Sequence, residues 1–417
     1  MKHLIIGAGP AGVIAAETLR TQDPEADIVL IGDEPEAPYS RMALPYLLAD
    51  NVDEAGTYLR PDPAHFQSQR IQVQQGRVAS VDTQAHSVTL EQGERLEYDR
   101  LLIATGSHTV KPPIPGMDLD GIENCWTLAD ARAIAQRAQP GQQVVLMGAG
   151  FIGCIVLEAL VARGVTLTVV EREPRMVPRM MDQTGGELLK RWCESKGVRV
   201  LTGTQVDEIK AGPQRLSLAV GNGGVLEADL VVCATGVRPN VDFLQNSGVE
   251  TDLGILVDDH LRTSARDVYA AGDVAQGPVF NGGQREVHAI QPTAGDHGQV
   301  AGLNMANVDT VYGGSLAINV LNTLGLISSS FGQWQGVPGG DSASALNEEE
   351  FKYLRLEFDG DYLVGAIGLG LTQQVGILRG LIQTRVNLGQ WKNELLRDPH
   401  QIVHAYLECN TSTEAAA

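Results

Sequence analysis

Paired cysteines are missing from this chain. It carries five in 417 residues, and none of Cys125, Cys154, Cys193, Cys233 and Cys409 falls in a C-x-x-C or comparable pair. That spacing supports neither a disulfide framework nor a zinc site, so no metal is expected and a reducing cytoplasm is the default compartment. Long apolar runs are also missing. No stretch of 18 apolar residues exists, which excludes a spanning helix. The N-terminus, with Lys2, an apolar stretch and Ala15-Ala16, has the outline of a signal peptide. A glycine loop interrupts it, however, and a strand, loop and helix use the segment fully. Positive charge is scarce: 31 Lys and Arg against 51 Asp and Glu leave a formal charge of −20, so nucleic acid and anionic membranes are excluded as general partners. Aromatics make up only 5%.

Glycine is abundant, with 47 residues, and the 43% apolar and 20% charged fractions are those of a globular chain long enough for two or three domains. The glycines are not scattered. Gly7-Ala8-Gly9-Pro10-Ala11-Gly12 follows the apolar run His3–Ile6, and Gly148-Ala149-Gly150-Phe151-Ile152-Gly153 follows Val144–Met147. In such a loop the first glycine permits the tight turn and the second lets backbone approach a pyrophosphate. The third lets the helix pack close to its strand, with the helix N-terminal amides facing the phosphates. About 20 residues beyond each loop an acid ends a second apolar strand, as ribose recognition requires. After Ile28–Ile31 these are Asp33, the favoured ribose acceptor, and Glu34 as its substitute; after Val165–Val170 it is Glu171. Two such units in one chain imply two bound dinucleotides. A carboxylate at 171 favours NADH by repelling a 2′-phosphate, although Arg172 and Arg175 lie nearby.

Two further apolar strands end in small residues, Leu101–Ile103 with Ala104-Thr105-Gly106, and Val268–Ala271 with Gly272-Asp273. With the first loop they resemble the two-dinucleotide-binding flavoproteins, also called the pyridine nucleotide-disulfide oxidoreductase family. The resemblance runs from residue 1 to about 310. It implies an α/β protein of two Rossmann-like domains, one for FAD and one for NAD, plus a C-terminal α+β domain. It carries FAD to the first loop, Asp273 to the flavin's ribityl and phosphate chain, and Pro292-Thr293-Ala294, opening a helix after Gln291, to the neighbourhood of the isoalloxazine. Gly236, in Ala234-Thr235-Gly236, matches the turn where the chain returns to the FAD domain. The implied division is 1–110 and 242–313 for FAD, 111–241 for NAD(H), and 314–417 for a C-terminal domain that makes a homodimer or receives a redox partner.

Departures from the family are as informative. Relatives with a single redox cysteine have it in a C-G-L-P-Y context. Here Tyr39-Ser40-Arg41-Met42-Ala43-Leu44-Pro45-Tyr46 keeps the register with Met42, and a thioether forms neither thiolate nor disulfide. The same segment resembles rubredoxin and ferredoxin reductases and the flavin module of nitrite reductases. There Tyr-x-Arg matches Tyr39-Ser40-Arg41, and Tyr46 replaces a lysine. Arg41 is read as a cofactor ligand, the alternative being a local ion pair. Ile155 occupies a position where many relatives carry the glutamate that holds nicotinamide, with Glu158 three residues on. Phe151 either shields the flavin or packs under its loop. Trp334 and Trp391 either line the flavin edge or pack in the core. No side chain is assigned as catalytic acid or base, and the histidines, His288 included, are read as structural.

The C-terminal segment is expected to hold strands at Ile318–Asn322 and Phe351–Phe358, the latter turning into Tyr362–Gly368. It is also expected to hold a helix with Val375, Leu378, Leu381 and Ile382 on one face, an exposed acidic loop at 341–350 and an unstructured tail from Asn410. The functional expectation is an FAD-dependent NAD(P)H oxidoreductase, preferring NADH. It passes electrons to a separate acceptor such as rubredoxin or ferredoxin. The alternatives are an NADH oxidase or peroxidase-like flavoenzyme, or a flavoprotein subunit or sensor of a larger redox complex.

Overall fold

The computed structural model describes residues 1–280 and 282–414, with the side chains of 222 and 410–414 not described. The chain divides into two compact units. The first comprises Met1–Val110, Trp126–Leu128 and Val237–Ser315; the second comprises Lys111–Cys125, Ala129–Gly236 and the chain from Leu316 onward.

The first unit is built on a five-stranded parallel sheet in the order Val268–Ala270, Arg100–Ile103, Lys2–Ile6, Asp27–Gly32, Ile71–Gln75. The three inner strands read as nearly unbroken apolar runs because both faces are covered, and Leu4, Ile5, Ile28, Leu30, Leu101 and Leu102 are all buried. The chain leaves Lys2–Ile6 to one side for the second and third strands and returns on the other. Its C-terminal end is therefore the switch point where such sheets bind ligands. Helices Pro10–Gln22 and Gln291–Met305 meet backbone to backbone. A Cβ at Gly298 would stand 2.4 Å from the Ala11 carbonyl oxygen, and one at Gly302 would stand 2.9 Å from Thr18 Cβ. An antiparallel three-stranded sheet, Val78–Asp82, Ser87–Leu90 and Arg95–Glu97, adds Val78, Val81, Val88 and Leu90 to the same core.

The second unit repeats the plan. Its parallel sheet runs Arg199–Leu201, Thr166–Val170, Gln143–Met147, Leu230–Cys233, Ile122–Asn124, again with the loop-bearing strand at the switch point. A meander of Val206–Ala211, Leu216–Val220 and Gly224–Ala228 supplies Ile209, Leu218 and Leu226 to one core with Val145 and Val231.

The C-terminal part of this unit is a five-stranded antiparallel sheet, Ile318–Thr323, Leu326–Gly332, Tyr362–Leu369, Lys352–Asp359, Asp341–Asn347, with three helices after it. The hairpin turning at Gly360 and the helix Val375–Thr384, which buries Leu378, Leu381 and Ile382, are as the sequence predicts. Three features differ. The segment expected as an acidic loop contains a strand, Asp341–Asn347, paired with Lys352–Asp359. It lies at the sheet edge, where a polar sequence suffices because one side needs no apolar partner. The sequence does not mark strand Leu326–Gly332, because Ser328, Ser329 and Ser330 interrupt its apolar pattern, yet all three are buried. The last helix, Ile402–Glu414, takes in the first residues of the tail expected to lack structure; 415–417 lie outside the described residues.

An ion-pair chain joins this sheet to the nucleotide fold of the same unit. Asp182 caps helix Gln183–Ser195 through the Gly185 amide at 2.9 Å, and its other oxygen accepts from Tyr353 Oη at 2.6 Å and Arg355 Nη1 at 2.9 Å. Arg355 Nε continues to the buried Glu357 at 2.5 Å, which also accepts from Ser342 Oγ at 2.9 Å.

Candidate functional site

The first site lies at the switch point of the first unit. Gly7 hangs from the neighbouring strand, its amide donating to the Ile31 carbonyl at 2.7 Å, while the Ala104 amide donates to Ile6 at 2.7 Å. Gly7 has φ +114°, and a Cβ there would stand 2.0 Å from the Ala104 oxygen. A Cβ on Gly12 would stand 1.9 Å from the Gly7 oxygen. Gly9 is different: a Cβ there would meet nothing within 4 Å. The first and third glycines are thus dictated by the protein's own packing. The second leaves open space in front of the helix N-terminus. Gly9 caps that helix without a side-chain acceptor, and Pro10 removes one donor, so the Ala11 and Gly12 amides keep the unsatisfied donors of a helix start. An anion-sized cradle with amide donors is the outcome.

Charged groups surround it. Asp33 is exposed immediately beyond its strand, whereas Glu34 is half-buried. Glu34 accepts from Tyr39 Oη at 2.5 Å and from Arg41 Nη2 at 2.8 Å. Arg41 Nη1 donates to the Trp126 carbonyl at 2.6 Å, and its guanidinium lies 5.8 Å from the Tyr39 ring centroid and 5.3 Å from that of Trp126. Arg41 therefore makes the local ion pair and is held rigidly by two rings as well. The Trp126 indole donates to the Ser107 carbonyl at 2.8 Å, and Ser107 Oγ donates to Asp273 Oδ2 at 3.2 Å. Burial raises the Asp273 carboxyl, while the Ser107 bond and the Arg41 charge pull it back down. Thr105 Oγ1 donates to Asn240 O at 3.0 Å, and Asn240 Nδ2 returns to Thr105 O at 2.8 Å, bracing the turn Ala104–Gly106. Helix Gln291–Met305 opens with Pro292, Thr293 and Ala294 and has no side-chain cap; Gln291 Oε1 accepts from Ser40 Oγ at 2.5 Å.

No local sequence signal marks Trp126 or Ser107 as part of this site. Trp126 stands among residues of the second unit yet belongs to the first, and no local pattern marks that excursion. Met42 and Tyr46 are exposed. His288 pairs with Glu286 at 3.2 Å.

The second site lies at the switch point of the second unit and matches the first position by position. The Gly148 amide donates to Val170 at 2.8 Å, and the Ala234 amide to Met147 at 2.8 Å. A Cβ on Gly148 would stand 2.4 Å from the Ala234 oxygen and one on Gly153 2.2 Å from the Gly148 oxygen, while Gly150 is open to 4 Å. Gly236, with φ +123°, is likewise open. Phe151 and Ile152 form the first turn of the uncapped helix Phe151–Ala162. Glu171 is buried and holds the loop: Oε2 accepts from the Ala149 amide at 2.6 Å and Oε1 from the Glu173 amide at 2.8 Å. The Ala149 carbonyl takes the Val177 amide at 2.8 Å and the Cys154 thiol at 3.6 Å. With Ala149 tied at both its N–H and its carbonyl, the amides of Phe151 and Ile152 keep the unsatisfied donors of a helix start. Arg175 is spent on the Met181 and Pro178 carbonyls at 2.9 and 3.1 Å, and Arg172 reaches Glu173 at 3.3 Å. Ile155 and Glu158 are half-buried on the same helix.

Burial pushes Cys125 and Cys193 up to about 12 and Cys154 well above the usual thiol value. All five cysteines are free. Trp334 is buried.

Two matching glycine loops with uncapped helix starts, each at the switch point of a parallel sheet, define the class of protein that binds two dinucleotides. The family model described as pyridine nucleotide-disulphide oxidoreductase matches residues 1–297, and the chain belongs to that family. It is a flavin oxidoreductase using FAD and NAD(P)H. It is 31% identical over 401 residues, 95% of each chain, to the NADH-dependent phenylglyoxylate dehydrogenase subunit epsilon of Aromatoleum evansii. It is 36% identical over 285 residues, 68% of this chain and 69% of the other, to the biphenyl dioxygenase system ferredoxin–NAD(+) reductase component of Paraburkholderia xenovorans. In fold it matches a crystal structure of the covalent putidaredoxin reductase–putidaredoxin complex, with a TM-score of 0.89, 22% identity and coverage of 97% and 98%. No helix among the described residues is long and apolar enough to cross a membrane.

Proposed function

We propose that the first cradle holds FAD and the second NADH, and that electrons leave the protein to a small iron-containing carrier of the ferredoxin or rubredoxin kind. The observation that carries this reading is a thioether in the place of a redox thiol. Met42 stands where single-cysteine relatives have their sulfur, and burial holds Cys125, Cys154 and Cys193 in their thiol form. Electrons then have to pass directly to an acceptor outside the chain. The resemblance to a ferredoxin–NAD(+) reductase component over 68% of the chain supports the same conclusion.

The residues divide the work. Gly9, Ala11 and Gly12 present backbone to one pyrophosphate, and Arg41 supplies fixed positive charge beside it. Glu34 or the freer Asp33 accepts from ribose, and Asp273 accepts from the ribityl side. Thr105, Gly106, Pro292, Thr293 and Ala294 form the walls. When bound, FAD supplies the chemistry, taking two electrons as hydride from NADH and releasing them singly or in pairs. Gly150, Phe151, Ile152 and Gly153 present amides to the second pyrophosphate, with Gly236 leaving room beside it. Glu171 holds the loop and, through its remaining lone pairs, receives a ribose hydroxyl while repelling a 2′-phosphate. The five free thiols accord with a reducing cytoplasm, and the C-terminal sheet is read as the homodimer or partner surface.

Anaerobic rapid mixing of the FAD-loaded protein with NADH and, separately, NADPH tests this. The reduced protein is then offered ferredoxin, rubredoxin, quinone or oxygen. Fast flavin bleaching by NADH, followed by reoxidation faster with an iron protein than with oxygen, is expected. Faster reoxidation by oxygen alone would overturn the reading in favour of an oxidase. A second reading rests on one observation: the Aromatoleum relative aligned over 95% of both chains is a subunit of an NADH-dependent phenylglyoxylate dehydrogenase. It predicts prompt bleaching by NADH and slow transfer to every free carrier.

A further inference from the structure

We propose that His297 is a positioning residue for the cofactor. Its neutral imidazole accepts the Gly272 amide and thereby sets the turn that presents Asp273. The inference rests on the reading of Asp273 as an FAD ligand. His297 lies on the helix Gln291–Met305, 2% exposed, and its Nδ1 is 3.3 Å from the Gly272 nitrogen. A backbone N–H only donates, so Nδ1 carries a lone pair and the ring proton sits on Nε2. Nε2 has no partner among the described residues, so the Gly272 bond is the one this ring makes. Tyr312 fixes the ring plane from the side, edge-on at 4.6 Å and 87°.

The geometry of Gly272 explains why that bond matters. Gly272 has φ +75°, and a Cβ there would stand 3.1 Å from Ala11 Cβ and 3.6 Å from Ala294 Cβ. The turn is therefore wedged between the two helices that flank the first cradle. It opens the short helical turn Gly272–Val274, and Asp273 is its second residue. With no acceptor at 297, the Gly272 amide would be buried and unsatisfied, and the peptide would rotate to find a partner, carrying Asp273 with it. A protonated ring could not accept the bond. Burial, reinforced by the nearby His288, lowers the His297 pKa to about 4, which keeps the acceptor in place at neutral pH.

The test strips FAD from the purified protein and measures rebinding by quenching of flavin fluorescence, for wild type, His297→Gln, His297→Met and Asp273→Asn. Glutamine retains an acceptor; methionine fills similar space without a good one. His297→Met is expected to weaken FAD binding about tenfold, the loss of one buried hydrogen bond, and His297→Gln to stay within about threefold of wild type. Equal weakening by both, or wild-type affinity for His297→Met, would overturn the inference. Asp273→Asn separates the two claims: wild-type binding by that variant refutes the Asp273 reading itself. Should His297→Met fail to fold, ¹⁵N NMR of the wild-type holoprotein decides. The Nε2–H tautomer is expected at pH 7, and an Nδ1–H ring would exclude the Gly272 bond.

Discussion

Substituting Gly150→Ala separates what a nucleotide loop does for folding from what it does for binding. Gly150 has φ −74° and ψ −169°, which alanine adopts without strain, and a Cβ there would meet nothing within 4 Å. Alanine at a helix N-cap costs a few tenths to about 1 kcal/mol relative to glycine, and the stiffer unfolded chain returns about 0.4–1 kcal/mol. Stability should therefore change by less than about 1 kcal/mol, a Tm shift of a few degrees at most. Gly153→Ala is the contrast. Its Cβ would stand 2.2 Å from the Gly148 oxygen, a backbone atom that cannot swing aside, so overpacking costs about 1–3 kcal/mol or more. In binding, the new methyl of Gly150→Ala fills the space through which a pyrophosphate reaches the Phe151 and Ile152 amides. Losing one charge-assisted hydrogen bond costs about 1.5–3 kcal/mol, which weakens NADH binding at least about tenfold. Titrating each variant with NADH while following its thermal unfolding reads both effects. Gly150→Ala is expected to fold as wild type and bind poorly, and Gly153→Ala to lose both. Wild-type NADH affinity in Gly150→Ala would refute the placement of the pyrophosphate at this loop. The same substitution at Gly9, also open to 4 Å, should reduce FAD retention and leave NADH binding to the second cradle unaffected.

Glu171→Ala releases the Ala149 and Glu173 amides and removes the charge opposed to a 2′-phosphate, so the NADH dissociation constant should rise about tenfold and the preference over NADPH should relax. Parallel titrations check this, and unchanged values for both nucleotides would sink the assignment. His3, 1% exposed on the first strand, has its pKa lowered to about 4 from 6.5, chiefly by burial and then by the Arg100 charge. Because the folded value lies below the unfolded one, the stability this neutral ring contributes is fully present above pH 6.5 and is lost as pH falls toward 4. Urea unfolding at pH 7.5 and 4.5 should show His3→Gln about 2 kcal/mol less acid-sensitive than wild type, and an identical pH slope would contradict the argument. Arg355→Met leaves the buried Glu357 without its cation and Asp182 with only the Tyr353 hydroxyl on that oxygen, and should cost about 3 kcal/mol in urea unfolding. A change below about 1 kcal/mol would mean that the ion-pair chain is not holding the C-terminal sheet.

The two nucleotide loops were legible residue by residue because their rule is local. A strand, a tight turn and a helix within a dozen residues leave one backbone path, and each loop glycine answers to a distance on that path, such as 1.9 Å at Gly12 and 2.2 Å at Gly153. The acids beyond the two loops were legible only in part. The strand end marks Asp33 and Glu34 alike, but the choice between them depends on Tyr39 and Arg41, which claim Glu34 and leave Asp33 exposed. At Glu171 the sequence marks the acid but not its two backbone donors. The strand Leu326–Gly332 is not legible because its buried serines hide the pattern of an interior strand.

The sequence by itself therefore determined two mononucleotide folds, their two glycine loops and a methionine at the register of the relatives' single cysteine, since each follows from residue type and short-range spacing. Only the tertiary structure decided which charges surround the first cradle. Trp126 and Ser107 reach Arg41 and Asp273 from segments distant in the chain, and His297 reaches Gly272 across 25 residues. The physical reason is the directionality of buried hydrogen bonds. A polar group's role is set by whichever partner satisfies it, and that partner is chosen by packing in three dimensions.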